Sequence, residues 1–355
     1  MKSTLALLTF LLLAASLGAL HAAETAKNRA DRCYNGFSNI VRDLQYKTVA
    51  DFADPEQLSM DLILPENTLY PNGAPVVFYI HGGGWGGGER FVLNKNTFQN
   101  YTNKGIAVAC ISYRLASKGG SSALDCLIDC KDAARFLAKN AGKYNLDPSR
   151  FATTGHSAGG HLSLCTALVP NNHPLLMGDP SLAGQSPVFV CVSALAPLVT
   201  LYHPEEADGN GTLSMNTDKF KQIIGGTSAE QPTKDAMASN AGREHYISSI
   251  QSKAPTSEIA KTLSPEFWLT KMSPPVQVIH GTEDSLISIR GARYFQSLAG
   301  ERGAKVNTIE VENGLHNFRS KDSQKTPGYT EQEIEQMSSG FLIKNLLEGL
   351  QPKTK

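Results

Sequence analysis

Short runs of β-branched and aromatic residues alternate along the chain with longer stretches in which apolar residues recur every three or four positions. Six runs make up the set, most of them almost unbroken: Pro75–His81, Ile106–Ser112, Phe151–Gly155, Val188–Ala194, Pro275–His280 and Lys305–Val311. Continuity of that kind suits strands covered on both faces of a parallel sheet. Ahead of them, Gln45–Asp51 and Leu58–Leu64 read as two strands of a hairpin. Leu124, Leu127, Ile128, Ala134 and Leu137 mark a helix over Ala123–Asn140, and Ser157–Leu168, Ile289–Ala299 and Glu331–Leu350 carry similar spacing. The alternation predicts a βαβ series, with helices on both faces of a mostly parallel sheet and the strand C-terminal ends along one edge. In such sheets ligands bind at that edge. Leu201 to Thr262 breaks the rhythm. Its Gly, Ser, Asn and Lys content reads as an insertion after the Val188–Ala194 strand, a partial cap over the strand ends.

The first residues have another purpose. Lys2 gives a small positive start, Leu5 to Leu20 is almost wholly apolar, and Ala22 supplies a small residue before polar Glu24 and Lys27. This is the pattern of a secretory signal peptide over residues 1–22, so the protein is expected to be exported, to a periplasm or the extracellular space. The run is shorter than the ~20 residues of a spanning helix, and no later segment is longer, so no stable membrane insertion is expected after cleavage. Residues 23–44 then read as an N-terminal extension and 45–355 as one catalytic domain, with 201–262 as its insertion. Lys plus Arg and Asp plus Glu each total 33. That balance disfavours nucleic-acid binding, which needs clustered cations to displace counterions. Six cysteines show no Cys-x-x-Cys pair and no disulfide framework. Most read as small buried apolar side chains.

Three motifs carry chemistry. Gly155-His156-Ser157-Ala158-Gly159 follows a short strand and precedes a helical run, the context of a nucleophile elbow. So tight a turn needs small residues two positions either side of the serine. His81-Gly82-Gly83-Gly84-Trp85 closes the Pro75–His81 strand, and successive glycines let backbone N–H groups face a site unobstructed. This is the H-G-G-G form of oxyanion loop, with Trp85 as a candidate substrate contact. Trp85 reads equally as packing. An acid follows the Pro275–His280 strand, either Asp284 or Glu283, and His316 follows the next strand. Loops after neighbouring strands meet at one edge, so Ser157, Asp284 and His316 form a candidate triad. His81 and His156 read as structural members of their loops, and His280 as a buried strand end. No metal or organic cofactor is implied.

Together, His81–Trp85, Ser112-Tyr113-Arg114-Leu115, Gly155–Gly160 and His280–Asp284 resemble the α/β-hydrolase superfamily. They are most similar to its esterase branch, which includes hormone-sensitive-lipase-like esterases and the acetylxylan and feruloyl esterases of the BD-FAE type. Asp129, Ala133 and Leu137 resemble that branch's helix, and Ser264-Pro265 and Pro274-Pro275 its approach to the acid. Leu315 departs from it, where a small residue often precedes the histidine. The resemblance implies an α/β-hydrolase fold with about eight strands and an insertion after the sixth, with backbone N–H groups of Gly83, Gly84 and Ala158 as oxyanion donors. It implies a serine esterase acting on short-chain or carbohydrate-linked acyl esters, acetyl or feruloyl. The partner would be a small-molecule or polysaccharide ester. Two other readings use the same scaffold: an amidase or peptidase, including a kynurenine-formamidase-like hydrolase, and a non-catalytic binding module.

Overall fold

A computed structural model describes residues 33–50, 52, 54–91, 95–116, 121–201, 256–322 and 324–353. The expected signal peptide, and residues 202–255 of the expected 201–262 cap, lie outside the described residues. Eight strands form one sheet: β1 (Ile40–Gln45), β2 (Ser59–Ile63), β3 (Ala74–Ile80), β4 (Ala107–Ile111), β5 (Leu146–His156), β6 (Phe189–Leu195), β7 (Val276–Gly281) and β8 (Val306–Val311). Their order is β1-β2-β4-β3-β5-β6-β7-β8. β1 and β4 run antiparallel to β2, and every pair from β4 to β8 is parallel. Among the described residues, the α-helices of seven residues or more are α1 (Lys95–Asn103), α2 (Ala123–Lys139), α3 (Ala158–Leu168), α4 (Thr256–Thr262), α5 (Ile289–Arg302) and α6 (Glu331–Leu347).

The unbroken apolar runs are explained by burial on both faces. Val76, Phe78 and Ile80 of β3 join a core with Leu127 and Leu137 of α2 and Leu162 of α3. Val77, the intervening residue, packs instead with Phe98 of α1 and Leu342 of α6. Further along the sheet, Val276 and Val278 of β7 pack on Ala292 and Phe295 of α5. So α1 and α6 cover one face, and α2, α3 and α5 the other. Helix ends follow local chemistry. Ser122 and Asp125 form a capping box on α2, and Thr330 and Glu333 form one on α6. α6 stops three residues short of the expected end, because the chain turns extended at Glu348 and left-handed at Gly349.

Two differences from expectation have physical causes. The first strand is Ile40–Gln45, not Gln45–Asp51, so a domain drawn from residue 45 omits an edge strand of its own sheet. β1 carries charged Arg42 and Asp43, with Asp43 at φ 54 and a register shift between Val41 and Leu44. That irregularity breaks the alternation by which a strand is recognised. Just after β1, only Tyr46 and Lys47 are buried, while Thr48 and Ala50 are exposed. Tyr46 lies in the core, and the Lys47 ammonium sits 2.5 Å from Asp129 Oδ1 and 2.9 Å from Asp132 Oδ2. The second difference is α1, which buries only Phe98 and Tyr101 and is otherwise polar. Two aromatics are too few to mark a helical face. Among the described residues, no helix is long and apolar enough to cross a membrane. The six cysteines are all free, five of them buried.

Candidate active site

β5 ends at His156, and the chain reverses into α3 through Ser157, whose φ of 59 and ψ of −124 are strained for a residue with a Cβ. The turn is held from both sides. Ser157 N–H donates to the Leu195 carbonyl at 2.8 Å, and His161 N–H donates to the Ser157 carbonyl at 2.9 Å. The elbow lies directly on β3. A Cβ at Gly155 or Gly159 would overlap the Ile80 carbonyl oxygen, which is why both flanking residues have no side chain. Ala158 is buried at the first turn of α3, where backbone N–H groups have no acceptor within the helix.

The glycine loop after β3 sits against this turn. A Cβ on Gly82 would come within 2.7 Å of the His156 carbonyl and 3.6 Å of Ser157 Cβ. Gly83 and Gly84 take φ of 118 and 60, and Gly87 N–H donates to the Gly83 carbonyl at 3.0 Å, closing the loop on itself. His81 anchors its base. Its ring stacks on Tyr113 with centroids 4.2 Å apart, and Tyr113 O–H donates to the His81 carbonyl at 2.9 Å. Trp85 lies in the core: it is 2% exposed, and its indole N–H donates to His161 Nδ1 at 3.1 Å, the arrangement that the packing alternative expects.

The loops after β7 and β8 are stitched together. Thr282 N–H donates to the Val311 carbonyl at 2.9 Å, Glu283 N–H to the Gly314 carbonyl at 2.9 Å, and Asn313 N–H to Thr282 Oγ1 at 3.0 Å. Gly281 makes this approach possible, since a Cβ there would lie 2.6 Å from the Leu315 carbonyl. The stitching brings His316 between the acid and the elbow. His316 Nδ1 lies 2.7 Å from Asp284 Oδ2, and its Nε2 lies 2.8 Å from Ser157 Oγ. A carboxylate only accepts, so Nδ1 carries the proton and Nε2 is free to accept from the serine hydroxyl. Glu283 points elsewhere, to Lys325 Nζ at 3.2 Å near the surface. Between the two acids that the sequence left open, geometry chooses Asp284.

Electrostatics follow the contacts. The Asp284 side chain is buried, and burial by itself would raise its carboxyl. Hydrogen bonds from His280 and His316, and one from the Ile287 N–H, outweigh that cost and hold it well below the usual carboxylate range. His280 is the contact that sequence reading passed over: its Nε2 lies 3.2 Å from Asp284 Oδ2 and 2.9 Å from the Ile287 carbonyl. His156 and His161 are each pushed down to about 4, chiefly by burial, so both are neutral at pH 7. His161 was not singled out from sequence at all. It follows Ser157 by four residues, one helical turn into α3, which is a usable signal for a side chain beneath the elbow.

Comparison with known proteins fits this geometry. The BD-FAE family model matches residues 60–298, about two-thirds of the chain. The chain belongs to the BD-FAE family. Its fold is the α/β-hydrolase fold. Among solved structures, a truncated form of a carbohydrate esterase from gut microbiota superposes with a TM-score of 0.62 at 21% identity, covering 87% of this chain and 97% of that one. A thermophilic esterase from Thermogutta terrifontis, Est2 with butyrate bound, gives a TM-score of 0.61 at 20% identity, covering 90% and 97%. In sequence, this BD-FAE chain is 25% identical to the probable isoprenylcysteine alpha-carbonyl methylesterase ICMEL1 of Arabidopsis thaliana over 75% of its own length and 49% of that protein. The chain spans about half the length of the curated relatives it matches.

Proposed function

We propose that this protein is an exported serine carboxylesterase that hydrolyses short-chain or carbohydrate-linked acyl esters, acetyl or feruloyl, through Ser157, His316 and Asp284. The observation that carries the reading is the continuous chain from Ser157 Oγ through His316 to Asp284, at 2.8 and 2.7 Å. A serine hydroxyl is a weak nucleophile at neutral pH and needs a base within hydrogen-bond reach. His316 Nε2 is that base. As Ser157 Oγ bonds to the acyl carbon, its proton passes to His316 Nε2, and the carbonyl electron pair moves onto oxygen. Asp284 stabilises the resulting imidazolium and holds its tautomer. N–H groups of Gly83, Gly84 and Ala158 serve as oxyanion donors, an effect worth ~3–4 kcal/mol per donor in comparable sites. Collapse expels the alcohol, which takes the proton from His316. Water then attacks the acyl-serine by the same route, releasing the acid.

The fold and family support acyl chemistry, and the named esterases among its neighbours support an ester over other acyl derivatives. The carbohydrate-linked substrate is supported by family membership and by the carbohydrate esterase among the neighbours, and export by the leader-like first 22 residues. The test is a panel of p-nitrophenyl acyl esters, acetylated xylan, methyl ferulate and matching acyl amides. Wild type is expected to turn over the esters and Ser157→Ala none of them, with both proteins equally folded. Wild-type activity retained in Ser157→Ala overturns the mechanism, and preference for the amides overturns the ester reading.

A further inference from the structure

His156, the residue before the proposed nucleophile, reaches across the site to the other catalytic loop. Its Nε2 lies 2.7 Å from the main-chain carbonyl of His316. A carbonyl cannot donate, so Nε2 carries the proton and the ring is the Nε2–H tautomer. The ring is clasped by the same loop, with centroids 4.8 Å from His316 and 5.7 Å from Phe318. The loop after β8 is stitched to the loop after β7 at Asn313 and Gly314, short of His316. Asn313 and Phe318 both take left-handed φ, 56 and 63, and its internal hydrogen bonds include Leu315 N–H to the Arg319 carbonyl, Phe318 N–H to the Leu315 carbonyl and Arg319 N–H to Asn317 Oδ1. None of those bonds involves the main chain of His316 itself. The bond to His156 does.

We infer that His156 is a positioning residue: it fixes the His316 backbone to the nucleophile elbow, so that the base and the serine share one rigid frame. This deepens the esterase reading and rests on it. Ser157 and His156 are neighbours on the turn between β5 and α3. A bond from His156 to His316 therefore ties the base to the turn that carries the nucleophile, across 160 residues of sequence. The alignment of Oγ and Nε2 then depends on two adjacent residues rather than on the relative placement of two separate loops. The brace also suits the charge that develops. Burial, and next the neighbouring His316, push the His156 imidazole down to about 4, so a neutral ring faces His316 when it becomes an imidazolium. A small misalignment of reacting groups costs up to about a hundredfold in rate, which sets the scale of what the brace protects.

The test compares His156→Leu, which keeps bulk without a donor, with His156→Gln, whose side-chain amide N–H falls near the position of the imidazole Nε2–H. With p-nitrophenyl acetate, His156→Leu is expected to lower kcat about 10- to 100-fold and leave KM within about threefold. His156→Gln should recover most of the loss. Hydrogen exchange of the Leu315 and Phe318 amides is measured on the same proteins and needs no substrate. It should speed up at least about tenfold in His156→Leu and stay near wild type in His156→Gln. Unchanged exchange in His156→Leu, or a kcat within twofold of wild type, overturns the inference. So does His156→Gln falling as far as His156→Leu, which would signal loss of packing rather than of the bond. Ester hydrolysis by wild type that survives Ser157→Ala instead overturns the esterase mechanism, and exchange still reads the brace.

Discussion

Acidification should destabilise this fold well above the pH at which its carboxylates titrate. Three histidines, His81, His156 and His161, are held neutral by burial and pushed down to about 4. In the unfolded chain each returns to about 6.5. Between those values the unfolded state binds more protons than the folded one, so stability rises with pH and falls as pH drops from about 6.5 towards 4. At pH 5 an unfolded histidine is almost fully protonated and each of these three is almost wholly neutral. Integrated from pH 7 to pH 5, that mismatch removes about 1.8 kcal/mol per histidine, or about 5.5 kcal/mol for the three together. Total stabilities of domains are about 5–15 kcal/mol, so the loss is a large fraction. Asp284 does not offset it. Its carboxyl is depressed, so its contribution is complete above the ordinary carboxylate value and is lost only below it. For His161 the contacts also say why the ring stays neutral. His161 Nδ1 accepts from the Trp85 indole, and its Nε2–H donates to the Leu263 carbonyl at 2.7 Å, so a second proton would displace the Trp85 bond. Urea unfolding at pH 7, 6 and 5 measures the loss through the shift in midpoint at constant slope. His161→Gln should remove about a third of the pH dependence. A wild-type stability that changes by less than about 1 kcal/mol from pH 7 to 5 would refute the reasoning.

Other consequences are equally accessible. Asp284→Asn is expected to lower kcat by about 10⁴, because the amide favours the wrong imidazole tautomer, while Glu283→Gln stays within about twofold of wild type; steady-state kinetics on one ester separates the two acids. Lys47→Met leaves Asp129 and Asp132 without the buried ammonium between them, and should cost about 3–5 kcal/mol in urea unfolding with little effect on KM. An equal stability in that variant would mean that Arg114 and Arg135, each 2.8 Å from one of those carboxylates, suffice to balance them.

Much of the fold is legible in residue order because burial on both faces leaves a simple trace. β3 and β4 are apolar at nearly every position, β7 is buried along its whole length, and each was readable as a strand. β1 was not, since an edge strand with a bulge and two charged residues loses the alternation that would mark it. α1 escaped for a similar reason: one face of it touches α6 and β4, and two aromatics do all of its burial. The site divides in the same way. Ser157 and the glycines around it were readable because a strained turn packed on β3 tolerates almost no other residues. His316 was readable from its place after the last strand.

The sequence by itself determined the layered α/β architecture, the elbow, the glycine loop and the order of serine, acid and histidine. Those features rest on local constraints: periodicity of burial, and turns that exclude side chains. Only the tertiary structure decided between Asp284 and Glu283, since adjacent residues in one loop differ solely in the direction they point. Only it placed Trp85 in the core, where its partner His161 lies 76 residues away. Only it set His280 against Asp284 and joined His156 to the His316 carbonyl. A hydrogen bond of this kind depends on the distance between loops that follow different strands. That distance is fixed by the strand order of the sheet, which no local pattern of residues encodes.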